Sequence, residues 1–568
     1  MKKIRPVIYQ LLPRLFGNVN QTLKAGGSIH ENGCGKFNDI SETALQSVAS
    51  MGVTHIWYTG ILEHGTQTDY SAFGIANDSV DVIKGVAGSP YAVRDYYDVD
   101  PDLAVDVPDR MAEFEQLVQR THKCGMKVII DLIPNHVARH YLSDAAPEGT
   151  APFGQDDDTS VSFLPGNNFY YLPGTSFRSP VEVADDSRWH EEPAKATGND
   201  CFTPSPSVND WYETVKLNYG VDYVGHGPSA FDPIPDTWLK MRDIVLFWSA
   251  KKVDGFRCDM AGMVPIEFWR WLIAEVKKSF PDLIFIGEVY DASAYTAFLD
   301  AGFSYLYDKV VFYDSVRSVV EGKVPASVMT QCWQRTEGVH NNLLYFLENH
   351  DEQRLASDFF AGEAVKGIPA LVLAATMFSN PVLVYFGQEL GETGMDSEGF
   401  SGRDGRTSIF DYWSLKSICD WRSKDLWDGS MLSPESLKLR AFYQKLLVLI
   451  NREPALSDGQ FYDVMWANGD NQNWDGTHLF AYLRYTGEQC VLVVVNLGPE
   501  TLDYRLIIPH DAFVQSGLRV DWFYTGVDRL GLNAGIQFPG EIATEAGLGS
   551  RIEGWSAAVY ELKGKAVK

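Results

Sequence analysis

Eight short apolar runs punctuate the first two-thirds of the chain, and most are followed by a stretch with helical periodicity. The runs are Val7–Leu12, His55–Thr59, Lys127–Ile133, Val253–Cys258, Leu283–Val289, Ser304–Val310, Leu343–Leu347 and Pro381–Phe386. Between several of them lie the amphipathic stretches Ser41–Met51, Asp109–Cys124, Asp236–Lys251, Pro265–Phe280 and Ile368–Phe378. Continuous apolar runs mark strands buried on both faces, as in a parallel sheet. Strands alternating with helices imply βα units. Eight such units predict an α/β fold, a closed (β/α)8 barrel of the TIM type.

Two regions break this rhythm. Roughly 140–209 is rich in Pro, Gly, Asp and aromatic residues, and it is far longer than an ordinary βα loop. The reading is a small inserted domain after the third strand, over 137–215, dividing the barrel into 1–136 and 216–455. After a last predicted helix at Ser436–Ile450, alternating segments recur at Thr477–Leu483, Cys490–Asn496, Thr501–Ile508 and Trp555–Leu562. They predict a C-terminal antiparallel β-sandwich over 456–568. At 568 residues the chain exceeds what one ordinary core accommodates, in keeping with several domains.

The formal charge of −27 repels polyanions, so neither nucleic acid nor an anionic membrane is an expected partner, whereas a neutral ligand is unaffected. No run of about 18 apolar residues is present to span a bilayer. The stretch from Val7 to Phe16 contains Gln10, Pro13 and Arg14 and reads as a strand with its loop rather than a signal core. Seven scattered cysteines with no CxxC argue against a disulfide framework and for a reducing compartment. A cytoplasmic location is favoured, with export open if a leader was removed. Oligomeric state is not specified.

In such barrels catalytic groups occupy the C-terminal ends of the strands. Four of the predicted strands end there in polar clusters: Asp131, Asn135 and His136; Arg257 and Asp259; Glu288 and Tyr290; and Glu348, Asn349, His350 and Asp351. Three carboxylates with an arginine and two histidines suit glycoside chemistry, in which one carboxyl donates a proton and another supports the sugar cation. Arg257 and Asp259 stand two apart and so point the same way from an extended strand. The guanidinium is expected to hold Asp259 ionised as a nucleophile requires. Glu288 has no cation beside it in the sequence. Next to Tyr290 and an apolar strand it is expected to be partly desolvated and suited to act as general acid. Alternation turns Cys258 away from the rim.

These clusters carry a resemblance. The strings DLIPNH (131–136), GFRCD (255–259), GEVY (287–290) and ENHD (348–351) resemble, in order, the four hallmark segments of the α-amylase family of glycoside hydrolases, the clan of amylases, neopullulanases and related glucosyltransferases. Weaker likenesses lie at 52–57, 89–91, 216–218 and 387–389. The resemblance implies that Asp259 is the nucleophile, Glu288 the acid/base, and Asp351 the group that binds the distorted sugar. It further implies that Arg257 orients Asp259, that His136 and His350 hydrogen-bond the same sugar, that Tyr91 stacks under its ring and that Asp131 supports the network from behind. The expected activity is hydrolysis, with retention, of mainly α-1,4 bonds in starch-type glucans. A glucosyltransferase or isomerase using the same covalent intermediate is the alternative, and a non-catalytic carbohydrate-binding relative a more distant one.

The chain also departs from the family pattern. Met260, Ala261, Gly262 and Met263 replace a Lys-His pair that many relatives carry, so the aglycone contacts are expected to differ. The chemistry itself requires no cofactor. Many amylases tie the inserted domain to the barrel with calcium; here Asn135 is retained, but Lys216 stands where an acid is expected, and an ammonium cannot ligate Ca²⁺. That interdomain site is expected to be absent. A structural calcium in the first βα loop, held by Asn18, Asn20, Asn38 and Asp39, is the other expectation. Ala92 after Tyr91, where chain-end trimming relatives often have Asp, points to a site open to longer chains. Phe169, Tyr170, Tyr171 and Trp211 are candidates to line the cleft.

Overall fold

The computed structural model describes residues 4–184, 187–397 and 402–566. Each apolar run contains a parallel strand, the last residues of the run forming the turn beyond it: β1 (Val7–Leu11), β2 (His55–Tyr58), β3 (Lys127–Leu132), β4 (Gly255–Cys258), β5 (Ile284–Gly287), β6 (Tyr305–Tyr307), β7 (Leu343–Leu344) and β8 (Val382–Tyr385). The strands pair in the order β7-β6-β5-β4-β3-β2-β1-β8. A parallel bridge between Tyr345 and Val382 joins the two ends of this order and closes the barrel. The residues of β1, β2, β4 and β8 are buried throughout, as strands walled by helices outside and by one another inside must be.

The surrounding helices form where the amphipathic stretches predict them. Helix α1 (Glu42–Ala49) starts at Ser41, whose hydroxyl accepts from the Ala44 N–H at 3.2 Å. Helices α2 (Arg110–Lys123), α3 (Asp236–Ala250) and α4 (Ile266–Lys277) bury one face on the barrel. Helix α5 (Ile368–Thr376) is different, since its residues from Pro369 to Thr376 are all buried. A helix that is apolar on every side must be covered on every side. Here the barrel covers one side and the C-terminal sheet the other.

That sheet is antiparallel and six-stranded, in the order Gln460–Asp463, Leu479–Tyr485, Cys490–Asn496, Ser556–Ala566, Trp522–Asp528 and Ile536–Pro539, with Leu502–Leu506 and Leu548–Ile552 forming a second pair. The segment after β3 leaves the barrel at His136–Ala138 and returns at Thr214–Lys216, and these two short strands pair with each other. The inserted segment is thus clamped at the C-terminal end of β3, and an isolated antiparallel bridge between Phe169 and Leu217 adds to the attachment.

Buried arginines tie the C-terminal sheet to α5. Arg484, 1% exposed, donates to the carbonyls of Thr376 and Gly459, each at 2.8 Å, and to the Ser379 hydroxyl at 2.9 Å. Replacing it leaves several buried acceptors without a donor. We expect Arg484→Met to lower the unfolding free energy by about 2–4 kcal/mol, read as a fall in the urea midpoint, with kcat/KM little changed.

Candidate active site

Strand pairing puts Arg257 on β4 beside Asp131 on β3, and Cys258 beside Gly287 at the end of β5. The ladder continues one residue further, with Asp259 N–H donating to the Leu132 carbonyl at 2.8 Å and Glu288 N–H to the Cys258 carbonyl at 3.1 Å. Asp259 and Glu288 therefore leave the barrel rim from adjacent strands. The Arg257 guanidinium reaches both. Its Nη1 donates to Asp259 Oδ1 at 2.7 Å, and its Nη2 lies 2.9 Å from Glu288 Oε2. Nη1 is also 3.6 Å from Asp131 Oδ1.

Three aromatic faces box in the guanidinium: its carbon lies 5.3 Å from the Trp57 ring centre and 5.4 Å from those of Tyr91 and Tyr307. A fully buried cation needs such rings and anions around it to be tolerated. Asp131 is held from its other side by Trp57 Nε1–H at 3.1 Å and Gly60 N–H at 3.3 Å, and burial pushes its carboxyl up to about 6.

Two sequence expectations change here. Glu288 is not without a cation, because Arg257 extends across from the neighbouring strand, a contact that residue spacing along one strand does not reveal. Asp259 is not simply held ionised. Burial pushes its carboxyl well above the usual carboxylate range, Arg257 opposes this, and the Glu288 and Asp351 charges add to it. Glu288 has further partners: Met260 N–H donates to its Oε2 at 2.6 Å, and the Tyr290 hydroxyl donates to its Oε1. Met260 reaches this position by adopting φ +44°, a left-handed conformation costly for a residue with a Cβ, at the step directly after Asp259.

Asp351 faces this group across the cavity, on a loop that is firmly tied down. The Asn349 side chain accepts from Asp351 N–H at 2.8 Å and Glu352 N–H at 3.0 Å. Buried Glu348 accepts from Arg354 at 3.0 Å and from Leu355 N–H at 2.7 Å. His350 sits between Gln10, 2.8 Å from its Nδ1, and the Tyr91 hydroxyl, 2.6 Å from its Nε2, with its ring stacked on Tyr91 at 5.1 Å. Burial drives His350 far below the usual histidine range and His136 down to about 3, so both rings are neutral, with both nitrogens of His350 already engaged by Gln10 and Tyr91.

All three carboxylates, Tyr91 and His136 border one cavity of about 210 Å³, together with Lys84, Ser89, Trp211, Glu213, Thr214, Met260, Tyr290, Ile409 and Phe410. Arg257, Asp131 and His350 stand behind this wall. Of the four aromatics considered for the cleft, Trp211 lines it, whereas Phe169, Tyr170 and Tyr171 are buried in the inserted segment. Ala92 is buried and does not line the cavity. Cys258 is fully buried in the core. Lys84, Glu213, Phe410 and the ring cage of Trp57 and Tyr307 were not among the residues singled out in the sequence, because no local spacing marks them.

The residues at the interdomain position, where no calcium is expected, and in the first loop, where one is, are engaged as follows. The Lys216 ammonium donates to Asn135 Oδ1 at 2.9 Å and pairs with Asp200 at 2.5 Å. The oxygen that would ligate an interdomain calcium is thus taken by a cation of the chain itself, so these residues do not fit that ion. In the first loop, Asn18 donates to the Asn32 and Trp413 carbonyls at 2.9 and 2.7 Å, and Asn20 donates to the Glu31 carbonyl at 3.1 Å. Asn38 donates to Glu113 at 2.9 Å, and Asp39 is shared by Arg422 at 3.1 Å and Lys36 N–H at 2.8 Å.

A family model described as "Alpha amylase, catalytic domain" matches residues 10–158 and 234–431, more than half of the chain. Alpha-amylase 3 of Dictyoglomus thermophilum is 25% identical over 438 residues, which cover 73% of this chain and 76% of that protein. Neopullulanase 2 of Thermoactinomyces vulgaris is 23% identical over 516 residues, covering 89% and 71%. The chain spans only 55% of Alpha-amylase MalA of Haloarcula japonica, at 24% identity over 504 residues. In fold it is similar to a maltogenic α-amylase, AmyB, from Thermotoga neapolitana, with TM-score 0.63 at 19% identity and 99% of each chain covered. An α-amylase from Geobacillus thermoleovorans complexed with acarbose gives TM-score 0.64, also at 19% identity and 99% of each chain.

The Lys216 ammonium is buried and bonds both clamp strands' surroundings through Asn135 and Asp200. We expect Lys216→Met to destabilise the protein by about 1–3 kcal/mol, seen as a lower melting temperature that added Ca²⁺ does not restore.

Proposed function

Because the chain belongs to the α-amylase family of glycoside hydrolases, we propose that it hydrolyses α-1,4-glucosidic bonds of starch-type oligo- and polysaccharides by double displacement, with retention of the α configuration. One observation carries this reading: a single guanidinium, Arg257, holds Asp259 and Glu288 on its two nitrogens at the rim, with Asp351 facing them across the cavity. Two carboxylates held on one fork are near neighbours, and in retaining enzymes the pair stands about 5–5.5 Å apart.

In this reading Glu288 protonates the glycosidic oxygen as Asp259 attacks the anomeric carbon. The C–O bond to the leaving sugar breaks, and a glycosyl ester forms on Asp259. Neutralising Asp259 frees Arg257 to favour the Glu288 anion, which then takes a proton from water as that water cleaves the ester. Asp351 holds hydroxyls of the flattened ring, while neutral His136 bonds others beside the Tyr91 ring, which His350 holds from behind. Tyr290 and Met260 N–H keep the Glu288 carboxyl turned toward the leaving oxygen. A sugar in place of water would give transfer instead, and Cyclomaltodextrin glucanotransferase of Geobacillus stearothermophilus, 24% identical over 523 residues, is among the relatives.

Counting reducing ends during digestion of maltooligosaccharides tests the reading. Hydrolysis adds one end per bond cleaved, whereas transfer conserves the count. Asp259→Asn is expected to abolish activity, and wild-type rates in that variant would refute the mechanism. Glu288→Gln should lower kcat on unactivated glucans by about 10²–10⁴-fold and far less on an aryl glycoside with a good leaving group.

The pH dependence follows from the carboxylate set. Asp259 must be ionised to attack, and its pKa in the folded protein is raised, so activity is lost as pH falls through that raised value. The acid limb of kcat/KM is therefore expected above pH ~4, the range of an isolated aspartate. Glu288→Gln removes one of the charges that raise Asp259, so with the activated glycoside the limb should move to lower pH. A limb that stays put or moves up would contradict this electrostatic account.

A further inference from the structure

Glu288 is bonded by Tyr290 and Met260, so the leaving sugar lies toward that group. The sugar attacked by Asp259 extends its non-reducing end away from Glu288, and Lys84, Glu213, Ile409 and Phe410 border the same cavity. In an enzyme that binds the middle of a chain, that end must be a groove.

Here it is stitched shut from three sides. The loop after β2, the inserted segment and the loop after β8 meet at this point. Lys84 Nζ, on the first, pairs with Glu213 Oε1, on the second, at 3.1 Å, both side chains almost buried. The ammonium also lies 5.4 Å from the Tyr212 ring centre. The first loop bonds the third through Ala87 N–H to the Phe410 carbonyl at 3.0 Å. Buried Arg14 fastens both from below, donating to the carbonyls of Ile409 at 2.9 Å and Ala87 at 3.2 Å. The packing leaves no slack: Gly85 has φ +66°, and a Cβ there would lie 2.3 Å from the Phe410 carbonyl oxygen. The volume agrees. A cavity of about 210 Å³ falls below the roughly 300–1,000 Å³ of pockets that take larger ligands.

The wall is polar at its core. Glu213 gives one oxygen to Lys84, and its other oxygen, Oε2, is buried with no hydrogen-bond partner. The Lys84 ammonium, also on the cavity wall, carries three donors, of which Glu213 takes one, and the others suit sugar hydroxyls.

We propose that the Lys84–Glu213 pair forms the blind end of the glycone site, so that the enzyme accepts one glucosyl unit there, grips the hydroxyls of that terminal sugar and trims glucans from their non-reducing ends. This rests on the α-glucan reading above and narrows it. It also explains why Ala92 does not open the site: the position after Tyr91 is buried behind the rim, and the closure comes from elsewhere in the chain.

The test compares maltoheptaose with the same oligosaccharide carrying a 4,6-O-ethylidene block on its non-reducing sugar, and with a cyclic maltooligosaccharide. Expected are glucose as the first product from the free-ended chain and rates about 100-fold or more lower on the blocked and cyclic substrates, since a site built to bond hydroxyls rejects a ligand that cannot supply them. Glu213→Gln, which keeps the shape, and Lys84→Met should each lower kcat/KM on the free-ended chain by about 10–100-fold and narrow the gap between free and blocked substrates. Cleavage of the blocked or cyclic substrate within ten-fold of the free one, maltose or longer as the first product, or a gap unchanged in both variants would overturn the proposal while leaving the glucan reading intact. Inertness toward all three substrates would overturn the glucan reading and this proposal with it.

Discussion

Among the described residues, Arg257 is the cation paired with Asp131, Asp259 and Glu288, and it is itself wholly buried. Neither side of that arrangement is tolerable alone. A guanidinium taken out of water costs several kcal/mol unless anions and aromatic faces replace the water, and three carboxylates at one barrel rim would repel one another without it. Barrel geometry brings the parties together. Parallel register sets Arg257 level with Asp131, and the next ladder steps lift Asp259 and Glu288 to the rim. The loops then add Tyr91, His350 and Asp351 around a centre that the strands have already positioned.

Much of this is legible in the chain. The eight apolar runs mark the barrel because a parallel strand has no solvated face on which to place polar residues. The polar clusters at the ends of β3, β4, β5 and β7 mark the rim because Asp, Arg and Glu directly after a run of Ile, Val and Phe can only stand where the packed interior stops. What spacing cannot show is who meets whom across strands. Glu288 looks free of cations along its own strand yet touches Arg257 on the next one. Trp57 and Tyr307 read as core aromatics, and their role as a cage for the guanidinium exists only once the barrel closes. Lys84 and Glu213, far apart in sequence, become a pair only through loop packing. In the C-terminal region, Trp522–Asp528 alternates buried and exposed residues as a strand should, but it lies between a helix and turns that blur the signal.

The inserted segment is held in place by polar and apolar contacts together. One short antiparallel clamp, a lysine set between Asn135 and Asp200, and the Arg139–Glu191 pair at 2.6 Å join the packing of Phe153 against Tyr96 and of Phe177 in a small cluster with Val82. Its contact with the loop after β2 is polar in part, the Ser179 hydroxyl donating to the Asp81 carbonyl at 2.5 Å and the Trp189 N–H to the Asp81 carboxylate at 3.1 Å. Polar contacts of this kind fix direction more than they add stability, which suits a segment whose task is to define a cavity edge.

The helix Ile368–Thr376 has a consequence for the chain as it is made. During synthesis it emerges before any strand of the C-terminal sheet exists, and the barrel can cover only one of its sides. Until the last strand, Ser556–Ala566, has docked in the middle of that sheet, the growing polypeptide carries a bare oily stripe on its surface. That strand thus seals a surface laid down nearly two hundred residues earlier, and a message or nascent chain cut short in this interval would yield a product prone to self-association even though all three rim carboxylates had already been made.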